Sequence, residues 1–113
     1  MTPEGRVKKA IGAWLDAEHP AAFYFKPVSN GMGKHGIPDF ICCVPAVVTQ
    51  AMVGKSIGLF VGIEAKTTAG VVSKHQVLRI NEIIAAGGLA LVVRGADGSL
   101  SAARSIIAEA TGG

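Results

Sequence analysis

The stretch that most constrains this chain is Gly58–Thr68, GLFVGIEAKTT. Its first half has the continuous apolar character of a buried strand, and its far end carries Glu64 and Lys66 two positions apart. Side chains alternate across a strand, so Glu64 and Lys66 fall on one face and Ala65 on the other. Burying two charges costs free energy unless each is compensated. The pair is therefore either a structural ion pair at a strand end or part of a site that needs an acid and a cation side by side.

The rest of the pattern reads as one domain spanning residues 1–113. Thr2, Pro3 and Glu4 suit a helix start, and Val7, Ala10, Ile11, Trp14 and Leu15 recur at helical spacing until His19-Pro20 ends the run. AFYFKPV predicts a short aromatic strand, SNGMGKHG a loop with three glycines, and IPDFICCV a second strand entered at Pro38. PAVVTQAMVGKSI is ambiguous, a long connection with room for a helical turn, and GLFVGIEAK is the third strand. Ser73 opens a helix through about Ala86, stopped by Gly87-Gly88. LALVV (Leu89–Val93) has the unbroken apolar character of a strand covered on both faces, and Ser101–Ala110 predicts a last helix. The order is helix, three strands, helix, strand, helix.

Half of the residues are hydrophobic and only 5% aromatic, so the core is expected to be aliphatic. No apolar run approaches the roughly 20 residues of a membrane span. The first residues, MTPEGRVKKAIGAWL, lack the apolar core of a signal peptide, which predicts a cytoplasmic protein. Cys42 and Cys43 are adjacent, point to opposite faces of a strand, and lack the CxxC spacing of a zinc site. The net charge of +3 permits a polyanionic partner, although the basic residues are scattered and only Lys8–Lys9 forms a doublet.

Two phosphate-loop look-alikes fail on context. GMGKHG (Gly31–Gly36) has the spacing of a dinucleotide loop, but Ile37-Pro38-Asp39 and a strand follow where a helix N-terminus is required. VGKS has Thr49 where a P-loop needs its first glycine, and again no helix follows. No nucleotide cofactor is expected. A stronger constellation joins Asp39, after Pro38 at the start of one strand, with Glu64 and Lys66 at the end of the next. Antiparallel pairing of those strands would bring all three to one sheet edge. Two adjacent carboxylates repel, and a divalent cation removes the conflict. Magnesium accepts one or two protein carboxylates plus water, and the backbone carbonyl of Ala65 offers a further oxygen. Lys66 is then placed to act on a water or to stabilise charge on a phosphate.

PDF (Pro38–Phe40), followed about two dozen residues later by EAK (Glu64–Lys66), resembles the PD-(D/E)XK nuclease signature. The pattern GIPDF…GLFVGIEAKTTAGVVSKHQ is most similar to the virus-type replication-repair nuclease (VRR-NUC) family, and the likeness covers Glu4 to Val93. The resemblance implies an α/β fold with a restriction-endonuclease-like core, a mixed central sheet flanked by helices. It implies a Mg2+-dependent endodeoxyribonuclease, with Mn2+ as substitute, acting as a homodimer on branched DNA in the manner of a Holliday junction resolvase. It places that activity in the DNA processing of a bacterial or phage-infected cell. Asp39, Glu64, Lys66 and Gln76 would be catalytic, with Glu4, Asp39, Glu64 and the Ala65 carbonyl around the metal. Lys34, His35, Ser73, Lys74 and His75 would face DNA. Each has a plainer reading too. Ser73 and Gln76 match a capping box, Glu4 favours a helix dipole, and Lys34, His35 and His75 suit solvated positions. The alternative function is a non-catalytic DNA-binding or assembly module on the same fold.

Overall fold

A computed structural model describes residues 1–28, 36, 38–94 and 98–112. Helix α1 spans Pro3–Glu18, with Pro3 in its first turn and the Thr2 hydroxyl accepting from the Gly5 N–H at 2.9 Å. Strands β1 (Phe23–Phe25) and β2 (Ile41–Cys43) pair antiparallel, Phe25 opposite Ile41. A single 3-10 turn at Gln50–Met52 interrupts the long connection to β3 (Val61–Lys66). Helix α2 (Lys74–Ala85) leads to β4 (Leu89–Arg94), which pairs parallel with β3, and α3 (Gly98–Ala110) follows. The element order is the one expected, in a mixed α/β chain.

The sheet differs from expectation. Asp39 and Glu64 were to meet through antiparallel pairing of β2 with β3. Instead the described strands form two separate two-stranded sheets, β1–β2 and β3–β4. Strand β2 has only three residues, and Asp39 lies in a bend two positions before it. Gly58, Leu59 and Phe60 stay outside β3. The β1–β2 hairpin meets the rest of the fold just outside the second sheet: the Phe23 and Phe60 rings lie edge to face at 5.8 Å, and Cys43 Sγ donates to the carbonyl of Ala86, the α2 C-cap, at 3.6 Å.

The turn from α2 into β4 follows from Gly87-Gly88. Gly87 takes φ +93°, its N–H donates to Ile84 O, and the Gly88 N–H donates to Ile83 O. This double reach-back closes the last helical carbonyls and requires the left-handed backbone that glycine adopts freely. The next N–H, of Leu89, donates to Phe60 O at 2.9 Å and leads into the β3–β4 ladder. Gly62 lets α2 approach β3 closely, since a Cβ there would sit 3.0 Å from Ile83 Cδ1. Tyr24 ties β1 to α1 by donating its hydroxyl to Asp16 Oδ1 at 2.8 Å, and that bond holds the phenol pKa above its ordinary value.

Burial is thin. Leu15, Cys43, Ile83, Ala86 and Ala103 are the buried hydrophobic residues among those described. All six residues of β4 are half-buried, so neither face is fully covered, contrary to the reading of LALVV. The accessible surface is 8647 Å2, whereas a folded monomer of this mass typically shows about 5,800 Å2. Exposed aliphatic residues cluster between β2 and β3, where Val47 is 86%, Val48 72% and Val53 65% exposed. Among the described residues, no helix is long and apolar enough to cross a membrane.

Candidate functional site

The period-two prediction for Glu64 and Lys66 holds. Both side chains are half-buried on β3 while Ala65 is exposed, and Lys66 Nζ lies 3.7 Å from Glu64 Oε1. The same oxygen accepts from Gln76 Nε2 at 2.7 Å. Gln76 is fixed by the start of α2. Its backbone N–H donates to Ser73 Oγ at 3.1 Å, and its side-chain Oε1 accepts from the Ser73 N–H at 2.9 Å. The capping-box reading of Ser73 and Gln76 holds, and the amide also reaches Glu64. One end of the amide caps the helix, and the other holds the carboxylate. A hydrogen bond to a charged group contributes about 1.5–3 kcal/mol, more than a long, partly exposed ion pair. Gln76 is thus the stronger restraint on Glu64. The second oxygen of Glu64, Oε2, has no hydrogen-bond or ion-pair partner among the described residues.

A second cluster gathers on α1. Lys8 Nζ lies 3.7 Å from Glu4 Oε1 and 3.7 Å from Asp39 Oδ1. The spacing of Glu4 and Lys8 makes them neighbours one helical turn apart. Asp39 comes from the bend before β2, so this lysine links the helix to the hairpin. Glu4 and Asp39 are both well exposed, and a cation reaching them keeps most of its water. Two exposed carboxylates thus flank one ammonium, which offsets their mutual repulsion.

Glu4 and Asp39 share one cluster, and Glu64, Lys66 and Gln76 share the other. Among the described residues, no group of three or more His, Cys, Asp or Glu side chains is placed to hold a metal ion. Ser73 serves as the α2 cap, and Lys74 and His75 are exposed in its first turn. Lys34 and His35 lie outside the described residues. The sequence reading missed Lys8 and Arg79. The i, i+4 spacing to Glu4 was a visible signal for Lys8, but its bond to Asp39 spans the fold and has no local signature. Arg79 lines a cleft of about 290 Å3 between β3 and α2. Glu64, Gln76 and His75 line it as well, together with Ile80 and Ile83. The cleft places polar side chains above an aliphatic floor beside the half-buried carboxylate.

No family model matches the chain, and no curated protein or solved structure matches it either.

Proposed function

We propose that the chain is a metal-dependent DNA endonuclease that hydrolyses phosphodiester bonds, with a preference for branched DNA, and that it works as a homodimer. The observation that carries this reading is the Lys66–Glu64–Gln76 cluster. A half-buried carboxylate is held on one oxygen by an amide and a lysine, and its second oxygen has no hydrogen-bond or ion-pair partner among the described residues. A purely structural ion pair does not need the amide of a capping glutamine aimed at it. The resemblance of PDF and EAK to the PD-(D/E)XK signature supports the same assignment.

Glu64, Asp39 and Glu4 would be the oxygen donors for Mg2+ or Mn2+, with the Ala65 carbonyl, once the two separate acid clusters draw together. The ion, when bound, supplies a water activated for attack and positive charge at the phosphate. Gln76 keeps Glu64 oriented. Lys66 contributes a positive charge on the same strand face, where it stabilises negative charge on the phosphate. Lys74, His75 and Arg79 present donors along the first turns of α2, suited to the DNA backbone, so binding weakens as salt rises. The exposed aliphatic residues Val47, Val48 and Val53 support a second copy as the partner that covers them.

One observation favours a second reading, a non-catalytic DNA-binding module: the two acid clusters are separate among the described residues. Cleavage separates the two. A labelled four-way junction and a matching linear duplex are incubated with the protein in Mg2+, Mn2+ or EDTA, beside Lys66→Ala. Metal-dependent junction cutting, reduced at least about 100-fold in the variant, is the expected result. Equal cutting of both substrates keeps the nuclease and removes the branched preference. Binding without cutting by the folded, metal-supplemented protein moves the assignment to the module.

A further inference from the structure

We propose that Arg94 is a further phosphate-binding residue, which grips one phosphodiester of the substrate together with Lys66 at the C-terminal edge of the β3–β4 sheet. The inference rests on the nuclease reading above and adds a second cation to that site. Strands β3 and β4 run parallel, and Lys66 opposite Arg94 is the last pair of their ladder. Register partners point to the same sheet face, on strands about 4.8 Å apart. Two cations thus stand side by side where both parallel strands end, the edge at which open α/β sheets take their ligands. Like charges on neighbouring strands repel, and an anion held between them removes that cost.

Both side chains belong to half-buried residues. Lys66 is offset by Glu64 at 3.7 Å, whereas Arg94 is in no ion pair among the described residues. The Arg94 guanidinium is nevertheless anchored. Its Nη1 donates to the Gly70 carbonyl, and the Arg94 backbone N–H donates to Ser99 Oγ at 2.9 Å. The turn that carries Gly70 folds back on Lys66. The Gly70 N–H donates to Thr67 O at 3.0 Å, and a Cβ on Gly70 would lie 3.3 Å from Lys66 Cβ. One turn therefore packs on the lysine and holds the arginine. A guanidinium offers a planar fork of N–H donors that matches a phosphate, and among the described residues the Gly70 carbonyl is the one acceptor on this fork. The strand face is the one that carries Glu64, so the gripped phosphate adjoins the carboxylate.

The test measures binding of a labelled four-way junction in EDTA across a range of salt, beside cleavage in Mg2+ and thermal melting. The proteins are the wild-type chain, Arg94→Gln, Arg94→Lys and Arg104→Gln. Arg104 is exposed on α3 and in no ion pair among the described residues, so its variant controls for a general loss of charge. Arg94→Gln is expected to bind about 10-fold more weakly and to lower the slope of log affinity against log salt by about 0.9, the share of one phosphate. Arg94→Lys is expected to keep the slope and lose about 10-fold in cleavage, because an ammonium restores the charge without the fork. Arg104→Gln stays near wild type. A lower melting temperature for Arg94→Gln with an unchanged slope makes Arg94 only a clamp on the Gly70 turn and overturns the proposal. An equal loss of slope in Arg104→Gln overturns it too. If Arg94→Gln does not fold, Arg94→Lys decides, and cleavage at the wild-type rate overturns the proposal. Protection of the wild type from heating by inorganic phosphate, with no change of slope in Arg94→Gln, assigns the two cations to free phosphate and overturns the DNA contact. A slope lost at Arg94 in a wild-type chain that binds but never cuts keeps the grip and removes the nuclease. A folded wild-type chain that binds no DNA removes both.

Discussion

Gln76 shows how much one side chain can be asked to do. Its backbone N–H, amide oxygen and amide nitrogen all have named partners, two within the α2 cap and one on Glu64. Removing the side chain and removing only its donor have different consequences. Gln76→Ala loses the reciprocal cap and the Glu64 bond, and stability should fall by about 1–2 kcal/mol in urea unfolding. Gln76→Glu keeps an acceptor for the Ser73 N–H but sets a second carboxylate against Glu64. It should retain most of that stability and, under the proposed nuclease function, lose at least about 10-fold in DNA cleavage. Equal losses of stability in both variants would show that the Glu64 bond, not the cap, dominates. At this scale the sequence was informative wherever the interaction was local. The shared face of Glu64 and Lys66 follows from strand periodicity, and the Ser73–Gln76 box from its spacing. The bonds from Gln76 to Glu64 and from Lys8 to Asp39 depend on how distant elements pack, and no local pattern encodes that.

Among the elements, α2 and its exit are the most strongly determined. Ile83 packs against both glycines that flank the helix in space. A Cβ on Gly62 would meet only the end of that side chain, Cδ1 at 3.0 Å. A Cβ on Gly88 would meet Ile83 Cγ2 at 3.0 Å and the Phe60 carbonyl oxygen at 3.1 Å. That oxygen accepts the Leu89 N–H beside the β3–β4 ladder, so it cannot give way without cost. Gly88→Ala should therefore destabilise by about 1–3 kcal/mol, and Gly62→Ala by less, because a terminal methyl can rotate aside. Chemical denaturation of the pair checks the order. The Gly-Gly stop and the Ser73 start of α2 were both legible, because capping chemistry is confined to a few neighbouring residues. The α3 start was placed three residues late, at Ser101 instead of Gly98. The pairing of β2 was not legible at all. A three-residue strand offers little periodicity, and nothing within it specifies which edge it joins.

For the whole molecule, the decisive quantity is surface. The chain exposes nearly 3,000 Å2 more than a typical monomer of this mass, ample surface for an interface that takes about 800 Å2 from each copy, or up to about 2,500 Å2 in an obligate homodimer. Val47 and Val48 are the most exposed aliphatic residues of the connection before β3. The wild-type chain is expected to elute as a dimer at micromolar concentration, with a melting temperature that rises with protein concentration. Val47→Asp with Val48→Asp should shift it to a monomer, read by light scattering. Monomeric elution of the wild-type chain would leave the surface to another partner. Composition pointed to an aliphatic core, but the total of hydrophobic residues carries no information about whether one chain or two enclose them.

The division into two hydrogen-bonded sheets has a consequence for how the site comes into being. Glu4, Lys8 and Asp39 ride on the helix-and-hairpin portion, whereas Glu64, Lys66 and Gln76 ride on β3 and α2. Among the described residues, an aromatic edge contact and a thiol-to-carbonyl bond join these portions, and no backbone ladder does. The spacing between the acids is thus an adjustable quantity. Under the proposed function, an ion or nucleic acid seated between the portions would draw the two acid clusters together, and cleavage would wait on that approach.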